Sequence, residues 1–287
     1  MAALYKNNFN RSLPSTAADP NEIPEGALGT SKKRKIGEED KKIIGKYGVE
    51  IYESDMESLN GWLSDAIVNF IALHLYQKLP DDVKDKVNIV DSNMCDSIKY
   101  DPRPDISDIF EHNKINNQRW QFFLFNNNTQ NGNIRGTHWS LIVFNKDDQS
   151  FYFLDSINTG VPLLVKKFVS KICSYMNVEN PMVENITCPK QKNGSDCGVY
   201  LVEFQKIIIN NIENDRQWNT FEDMSNGYMK LRRKEWKRKI ENVAAKHMKD
   251  CMLKRSGSVS TIVGPQGNEG NPPSAKKSRS NSYPSCF

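Results

Sequence analysis

The apolar residues of this chain are concentrated in its middle part. Residues 1–45 and 253–287 are rich in Asn, Ser, Pro, Gly and Lys and show no apolar periodicity, which is typical of disordered segments. Between them, residues 46–252 alternate apolar runs with polar stretches over a length that one large domain can fill. The pattern therefore predicts one folded domain between two disordered arms.

Helical periodicity appears in several segments of this domain. Residues 64–79 place Ile67, Phe70 and Ile71 on one face, with Ser64 as the N-cap. Further helices are predicted at 161–176, at 198–212, where nearly every face is apolar, and at 221–248, which is strongly basic.

Short apolar and aromatic runs predict the strands of a buried sheet. They lie at 120–126, 138–145, 150–155 and 182–188. A turn-forming cluster at 146–149 joins the second run to the third, so we expect an antiparallel hairpin there. Helices on a mainly antiparallel sheet make an α+β domain.

The register of this hairpin places two polar side chains together. With the turn centred between Asp147 and Asp148, His138 lies opposite Ile157 and diagonal to Asp155 on one face of the sheet. Such neighbours are roughly 5–8 Å apart, within reach of a His–Asp hydrogen bond. A slip of one residue would separate them. The alternative is that Asp155 only caps the following loop.

Composition argues against several classes of protein. A net charge of +4 gives no strong argument for binding to nucleic acid or to membranes. The cysteines have no regular spacing and form no Cys-x-x-Cys pair, so neither a disulfide framework nor a structural zinc site is expected. We find no secretory leader and no apolar stretch long enough to span a membrane. A protein of the cell interior without metal or cofactor is expected.

Charge is distributed unevenly along the chain. Acidic residues outnumber basic ones between 50 and 111, whereas residues 230–255 are predominantly basic. The basic helix is either a recruiting surface for an acidic partner or a solvated outer face. The basic run at 31–35 is either a nuclear localisation signal or a solvated charge run.

Cys197 stands where a loop turns into the apolar helix. It is either a small core residue or a nucleophile, because a helix N-terminus favours the thiolate form. Gly194, Ser195 and Gly198 would leave room for a substrate near the sulfur. The backbone N–H of Cys197 and the side-chain amide of Gln191 are candidate donors to an oxyanion.

The chain has only four histidines, so few residues could act as the base for this thiol. His138 opens a buried strand, whereas His74 lies on the inner face of the first helix and fits a core position better. His112 and His247 lie in polar segments. His138 is therefore the candidate base, and Asp155 is the candidate for the group that orients it.

These residues follow the order His, Asp, Gln, Cys, which excludes a linear match to papain. His138-Trp139, Asp155 and Gln191-x5-Cys197-Gly198 resemble, in order and spacing, the ubiquitin-like-protein protease family, the sentrin/SUMO-specific cysteine proteases. The stretch at 62–65 is similar to the family's Trp-Leu-Asn-Asp, with Ser in place of Asn. The resemblance covers about residues 46–250.

The resemblance implies a papain-like cysteine protease fold and an isopeptidase that cuts after the C-terminal Gly-Gly of a ubiquitin-like modifier. It assigns Cys197 as nucleophile, His138 as base, Asp155 as the support of the imidazolium and Gln191 as oxyanion donor. It also implies that Trp62 and Trp139 clamp the Gly-Gly tail. Asp65 would suit a modifier whose tail carries Arg.

Residues 136–141 and 228–246 resemble the deneddylases of this family, which implies Nedd as the modifier. SUMO is the alternative modifier. An acyltransferase with the same triad and a non-catalytic modifier-binding protein are alternatives of other classes. The expected partners are the modifier and its conjugates, such as cullins, without a membrane or a specific nucleic acid. A monomer in the cytoplasm and nucleus is expected.

Overall fold

The computed structural model describes residues 39–115, 117–128 and 136–257, with side chains as far as 253. Residues 1–38 and 258–287, which hold most of both predicted arms and the basic run at 31–35, lie outside the described residues. The first strand begins at Lys42 and the last helix ends at Gly257. The regular structure thus extends beyond 46 and 252 at its two ends.

The elements combine helices with one main sheet. In chain order they are β1 (Lys42–Lys46), β2 (Val49–Tyr52), α1 (Glu53–Ser58), α2 (Asp65–Gln77), α3 (Asp81–Lys84), β3 (Val87–Val90), α4 (Ser92–Tyr100), α5 (Ser107–His112), β4 (Trp120–Asn126), β5 (Trp139–Asn145), β6 (Ser150–Leu154), α6 (Leu163–Ile172) with a 3₁₀ turn (Cys173–Met176), β7 (Val183–Asn185), α7 (Cys197–Glu213) and α8 (Asn226–Gly257).

The main sheet has the strand order β3-β4-β5-β6-β7. Its central pairs, β4–β5 and β5–β6, are antiparallel, whereas β3–β4 and β6–β7 are parallel. The α+β class is confirmed, with the longer ladders antiparallel and the sheet edges parallel.

Local sequence explains where the helices begin. The Ser64 hydroxyl accepts the N–H of Ile67 at 3.4 Å, so α2 starts at the predicted cap. The Ser225 hydroxyl accepts the N–H of Tyr228 at 3.2 Å, and this cap starts α8 at Asn226 rather than at the predicted 221.

Both faces of the main sheet are covered. Side chains on one face of β4, such as Phe122 and Leu124, join a core with α2, α7 and α8. The alternate side chains Phe123 and Phe125 join a second core with α4 and α6. Because both faces are buried, these strands are continuous apolar runs, and each fully buried Phe contributes about 1.5–3 kcal/mol. Helices α2 and α7 meet on the first face, where they position the candidate site.

Candidate active site

The β5–β6 hairpin brings His138 to Asp155. Its pairing runs from Leu141 opposite Leu154 to Asn145 opposite Ser150, which confirms the predicted register. The Nε2 atom of His138 lies 2.8 Å from Oδ1 of Asp155. The hairpin thus fixes the geometry of this pair through the backbone pairing of two buried strands.

The Asp155 carboxylate is buried and saturated with donors. Its Oδ1 also accepts the backbone N–H groups of Ile157 at 2.7 Å and Asn158 at 2.9 Å, and its Oδ2 accepts from the Asn158 amide at 2.8 Å. Burial raises the pKa of this carboxyl group, but the hydrogen bond and charge of His138 and these N–H groups bring it below its usual value. Asp155 is therefore held as a carboxylate.

The backbone of His138 is held by a residue that the sequence analysis did not identify. The Asn127 side-chain oxygen accepts the N–H groups of Thr137 at 2.8 Å and of His138 at 2.9 Å. The Asn127 N–H in turn donates to the His138 carbonyl at 3.1 Å. These three bonds fix the main chain at the start of β5. Only the pairing of β4 with β5 reveals them.

Cys197 is the first residue of α7, and its side chain is buried. Nε2 of His138 is bound to Asp155, and the buried Nδ1 has no hydrogen-bond partner among the described residues. Burial lowers the pKa of His138, but its interactions with Asp155 and Cys197 outweigh burial and raise the pKa to about 9. The ring is consequently protonated at neutral pH.

A buried ion pair holds the loop in front of Cys197. Nε and Nη2 of Arg233 donate to Oδ1 of Asp196 at 2.9 and 2.7 Å. Arg233 also donates to the carbonyls of Ser195 at 2.7 Å and Leu59 at 3.1 Å. One guanidinium on α8 thereby ties the nucleophile loop to the segment before Trp62, a tertiary contact that the sequence did not predict.

Gln191 lies on the same loop, with its amide in a fixed orientation. The hydroxyl of Ser156 donates to Oε1 at 2.6 Å, and Nε2 donates to the carbonyl of Asn193 at 2.5 Å. The backbone N–H of Gln191 also donates to the Ser156 carbonyl at 2.9 Å. One amide N–H is thus engaged, and the second can serve as the predicted oxyanion donor.

Trp62 and Trp139, the two tryptophans predicted to clamp the tail, lie near the loop that precedes Cys197. The Trp62 indole N–H donates to the carbonyl of Gly194. The indole N–H of Trp139, which is buried, donates to the carbonyl of Leu63 at 3.1 Å. Asp65 is exposed at the first position of α2. The structure therefore places all three residues around the start of α2, next to the nucleophile loop.

Gly198 has a different role from the one predicted. A Cβ atom on this residue would lie 3.1 Å from Cβ of Leu63 and 3.2 Å from Cδ1 of Trp139. The space expected for substrate at this position is occupied by these two side chains. The small residue at 198 allows the start of α7 to approach the Trp62–Asp65 segment.

We expect Gly198→Ala to lower the rate of substrate cleavage by about 10- to 100-fold, because it displaces Trp139 beside the candidate base. Crowding costs about 1–3 kcal/mol of stability, which a better helix former offsets by up to about 1 kcal/mol. Steady-state kinetics and urea unfolding measure the two effects. Gly160→Ala is the matched control, since a Cβ there meets nothing within 4 Å. Equal rates for both variants would contradict the packing role of Gly198.

The described part of the chain shows no candidate for a metal site or for a membrane span. There, no group of three or more His, Cys, Asp or Glu side chains could hold a metal ion. No helix among these residues is long and apolar enough to cross a membrane. The reactive side chains of the candidate site are a thiol, an imidazolium and a carboxylate. This arrangement is suited to acyl transfer.

Comparison with known proteins agrees with this geometry. The Ulp1 protease family, C-terminal catalytic domain, matches residues 61–248. Sentrin-specific protease 8 from Homo sapiens is 26% identical over 199 residues, 68% of this chain and 93% of the relative. NEDD8-specific protease 1 from Arabidopsis thaliana is 29% identical over 209 residues, 69% of this chain and 83% of the relative.

The fold agrees as well. The solved structure of the C-terminal Ulp1 protease domain in complex with Smt3, the yeast ortholog of SUMO, superposes with a TM-score of 0.55 at 17% identity. It covers 72% of this chain and 90% of that chain. With the family match spanning most of the described fold, the chain belongs to the Ulp1 protease family of cysteine peptidases that act on ubiquitin-like modifiers.

Proposed function

We propose that this enzyme cleaves peptide and isopeptide bonds after the C-terminal Gly-Gly of Nedd. The observation that carries the chemistry is the His138 ring, which is bound to Asp155 through Nε2 and whose pKa is raised by Asp155 and Cys197. The similarity to a relative named for NEDD8 specificity, over 83% of that relative, supports the choice of modifier.

In this proposal the thiolate of Cys197, paired with the protonated ring of His138, attacks the carbonyl carbon of the last glycine. The Cys197 N–H and the second amide N–H of Gln191 donate to the resulting oxyanion. The C–N bond then breaks as the imidazolium gives its proton to the leaving amine. Water, deprotonated by His138, hydrolyses the thioester and restores the pair of thiolate and imidazolium. Asp155 stabilises the imidazolium throughout.

The proposed path of the Gly-Gly tail lies between Trp62 and Trp139. Support comes from their hydrogen bonds, which attach Trp62 to the nucleophile loop and Trp139 to Leu63. The exposed Asp65 at the start of α2 would receive an arginine of the modifier tail. In this proposal the two rings accept glycine, which has no side chain, and exclude larger residues at these two positions of the tail.

Activity-based probes test this function. Nedd, SUMO and ubiquitin, each with a C-terminal vinyl sulfone, are incubated with the enzyme, and the covalent adducts are resolved by mass. We expect the Nedd probe to label the wild type and Cys173→Ala, a control at a half-exposed cysteine, but not Cys197→Ala. Preferential labelling by SUMO would replace Nedd with the alternative modifier. No labelling by any probe would refute the catalytic assignment.

We also propose that the enzyme acts as a monomer in the cytoplasm and nucleus, on conjugates such as cullins. The basic outer face of α8 suits an acidic conjugate, and the basic run at 31–35 suits nuclear import. Sedimentation velocity at several concentrations, and imaging of a tagged chain with residues 32–35 neutralised, measure these two points. A concentration-independent dimer or an unchanged distribution would contradict them.

A further inference from the structure

A cavity lies at the end of α2 that is opposite the candidate active site. Its volume is about 460 Å³, and residues of β1, the end of α2 and α8 line it. Helix α2 is about 20 Å long at 1.5 Å per residue, so this cavity is well separated from Trp62 and Leu63. None of the proposed catalytic residues lines it.

The rim of this cavity is positively charged. Lys46, Lys78 and Lys246 come from three different elements and are exposed at its surface. None of the three forms an ion pair with another described residue. Asp250 is the single carboxylate among its lining residues. The cavity therefore carries an excess of positive charge that the described protein does not neutralise.

His74 forms part of the wall, and its environment shows that these charges converge. Tyr47 Oη lies 3.1 Å from Nδ1 of His74, while the buried Nε2 has no partner among the described residues. Burial, followed by the charges of Lys78, Lys239 and Lys46, lowers the pKa of His74 to about 4. His74 is thus neutral at pH 7. A neutral imidazole whose Nδ1 accepts from the Tyr47 hydroxyl would carry its proton on Nε2, the nitrogen that has no partner among the described residues.

Lys239 contributes to the same field. Burial and the charges of Lys78, Arg232 and Lys206 lower its pKa. Lys46, Lys78 and Lys239 all act on His74, and Lys246 lines the same cavity. The mutual repulsion of these lysines would be relieved by an anion bound among them. Lysine ammonium groups bind phosphate as point charges, and several together suit an anion with more than one charge.

We propose that this basic cavity, formed by Lys46, Lys78, Lys246 and His74, binds a small anion that carries several phosphate charges. The volume admits a chain of two or three phosphate groups. The lysines neutralise their charge, and the exposed Asp250 carboxylate opposes an anion on its side of the cavity. The proposal is independent of which modifier the active site accepts.

Isothermal titration calorimetry with inorganic tripolyphosphate at low salt tests this site in the full-length enzyme. We expect one site per chain, with the dissociation constant raised about tenfold or more by Lys78→Gln combined with Lys246→Gln. Lys166→Gln combined with Lys167→Gln, which removes two exposed lysines on α6, is the matched control and should leave binding unchanged. Asp250→Asn should tighten binding, because it removes the single lining carboxylate.

Several results would overturn the site. An equal loss of affinity in the double control variant, Lys166→Gln with Lys167→Gln, would mean that binding responds only to net charge. Absence of heat with tripolyphosphate would mean that there is no phosphate site. Binding of polyglutamate without tripolyphosphate would indicate an acidic protein partner instead.

Co-sedimentation with phosphoinositide vesicles, lost in the double variant, would support the same site with a lipid headgroup as its source. Labelling by the active-site probe should remain at the wild-type rate in every variant.

Discussion

Asp155→Asn is expected to lower turnover by on the order of 10⁴-fold while the protein stays folded. The amide oxygen replaces Oδ1, which accepts from His138, Ile157 and Asn158, so these hydrogen bonds survive and only the bond from the Asn158 side chain to Oδ2 is lost. The negative charge beside the imidazolium is lost. Steady-state kinetics on a Nedd fusion, with circular dichroism as the folding check, measure the effect.

The pH dependence of turnover distinguishes the negative charge of Asp155 from its hydrogen-bonding geometry. The pKa of His138 is raised to about 9, so the protonated ring is present at neutral pH and is lost as the pH rises through 9. In Asp155→Asn this alkaline limb should move to lower pH, because burial lowers the pKa of the ring and the carboxylate no longer opposes it. Asp147→Asn, at the exposed hairpin turn, is the control. An unshifted limb would contradict the role of Asp155.

Arg233→Ala is expected to destabilise the folded protein by about 3–5 kcal/mol. The substitution leaves the buried Asp196 carboxylate without its guanidinium, and it also removes donors from the carbonyls of Ser195 and Leu59. Arg233→Lys should recover only part of the loss, because an ammonium cannot reproduce the fork of N–H donors. Urea unfolding gives the free energies.

A matched substitution on α8 shows how much of the stability change comes from the Arg233–Asp196 ion pair. Arg238→Ala changes an exposed arginine of α8 and should alter stability by less than about 0.5 kcal/mol. Arg233→Ala should also slow cleavage at temperatures where it remains folded, since its partners immediately precede Cys197. A stability change equal to that of Arg238→Ala would show that the Asp196 pair is not a structural link.

Local rules made much of the fold predictable. The Ser64 cap, the turn at 146–149 and the long apolar runs each depend on neighbouring residues, and the corresponding elements form as expected. The β1–β2 hairpin was missed because its turn, at Tyr47 and Gly48, lacks the usual Asn-Gly signal even though both residues have positive φ. Strand β3 was missed because it is only four residues long.

Local sequence patterns were enough to predict the β5–β6 register, and with it the meeting of His138 and Asp155, because side chains alternate along a strand and a short turn fixes the pairing. They also placed Cys197 at a helix start. The contacts that hold these groups in place come from tertiary packing instead. Asn127 reaches His138 across β4–β5, Arg233 reaches Asp196 from α8, and lysines of three elements surround one cavity. Such contacts join residues far apart in the chain, whose proximity depends on how the packed layers align.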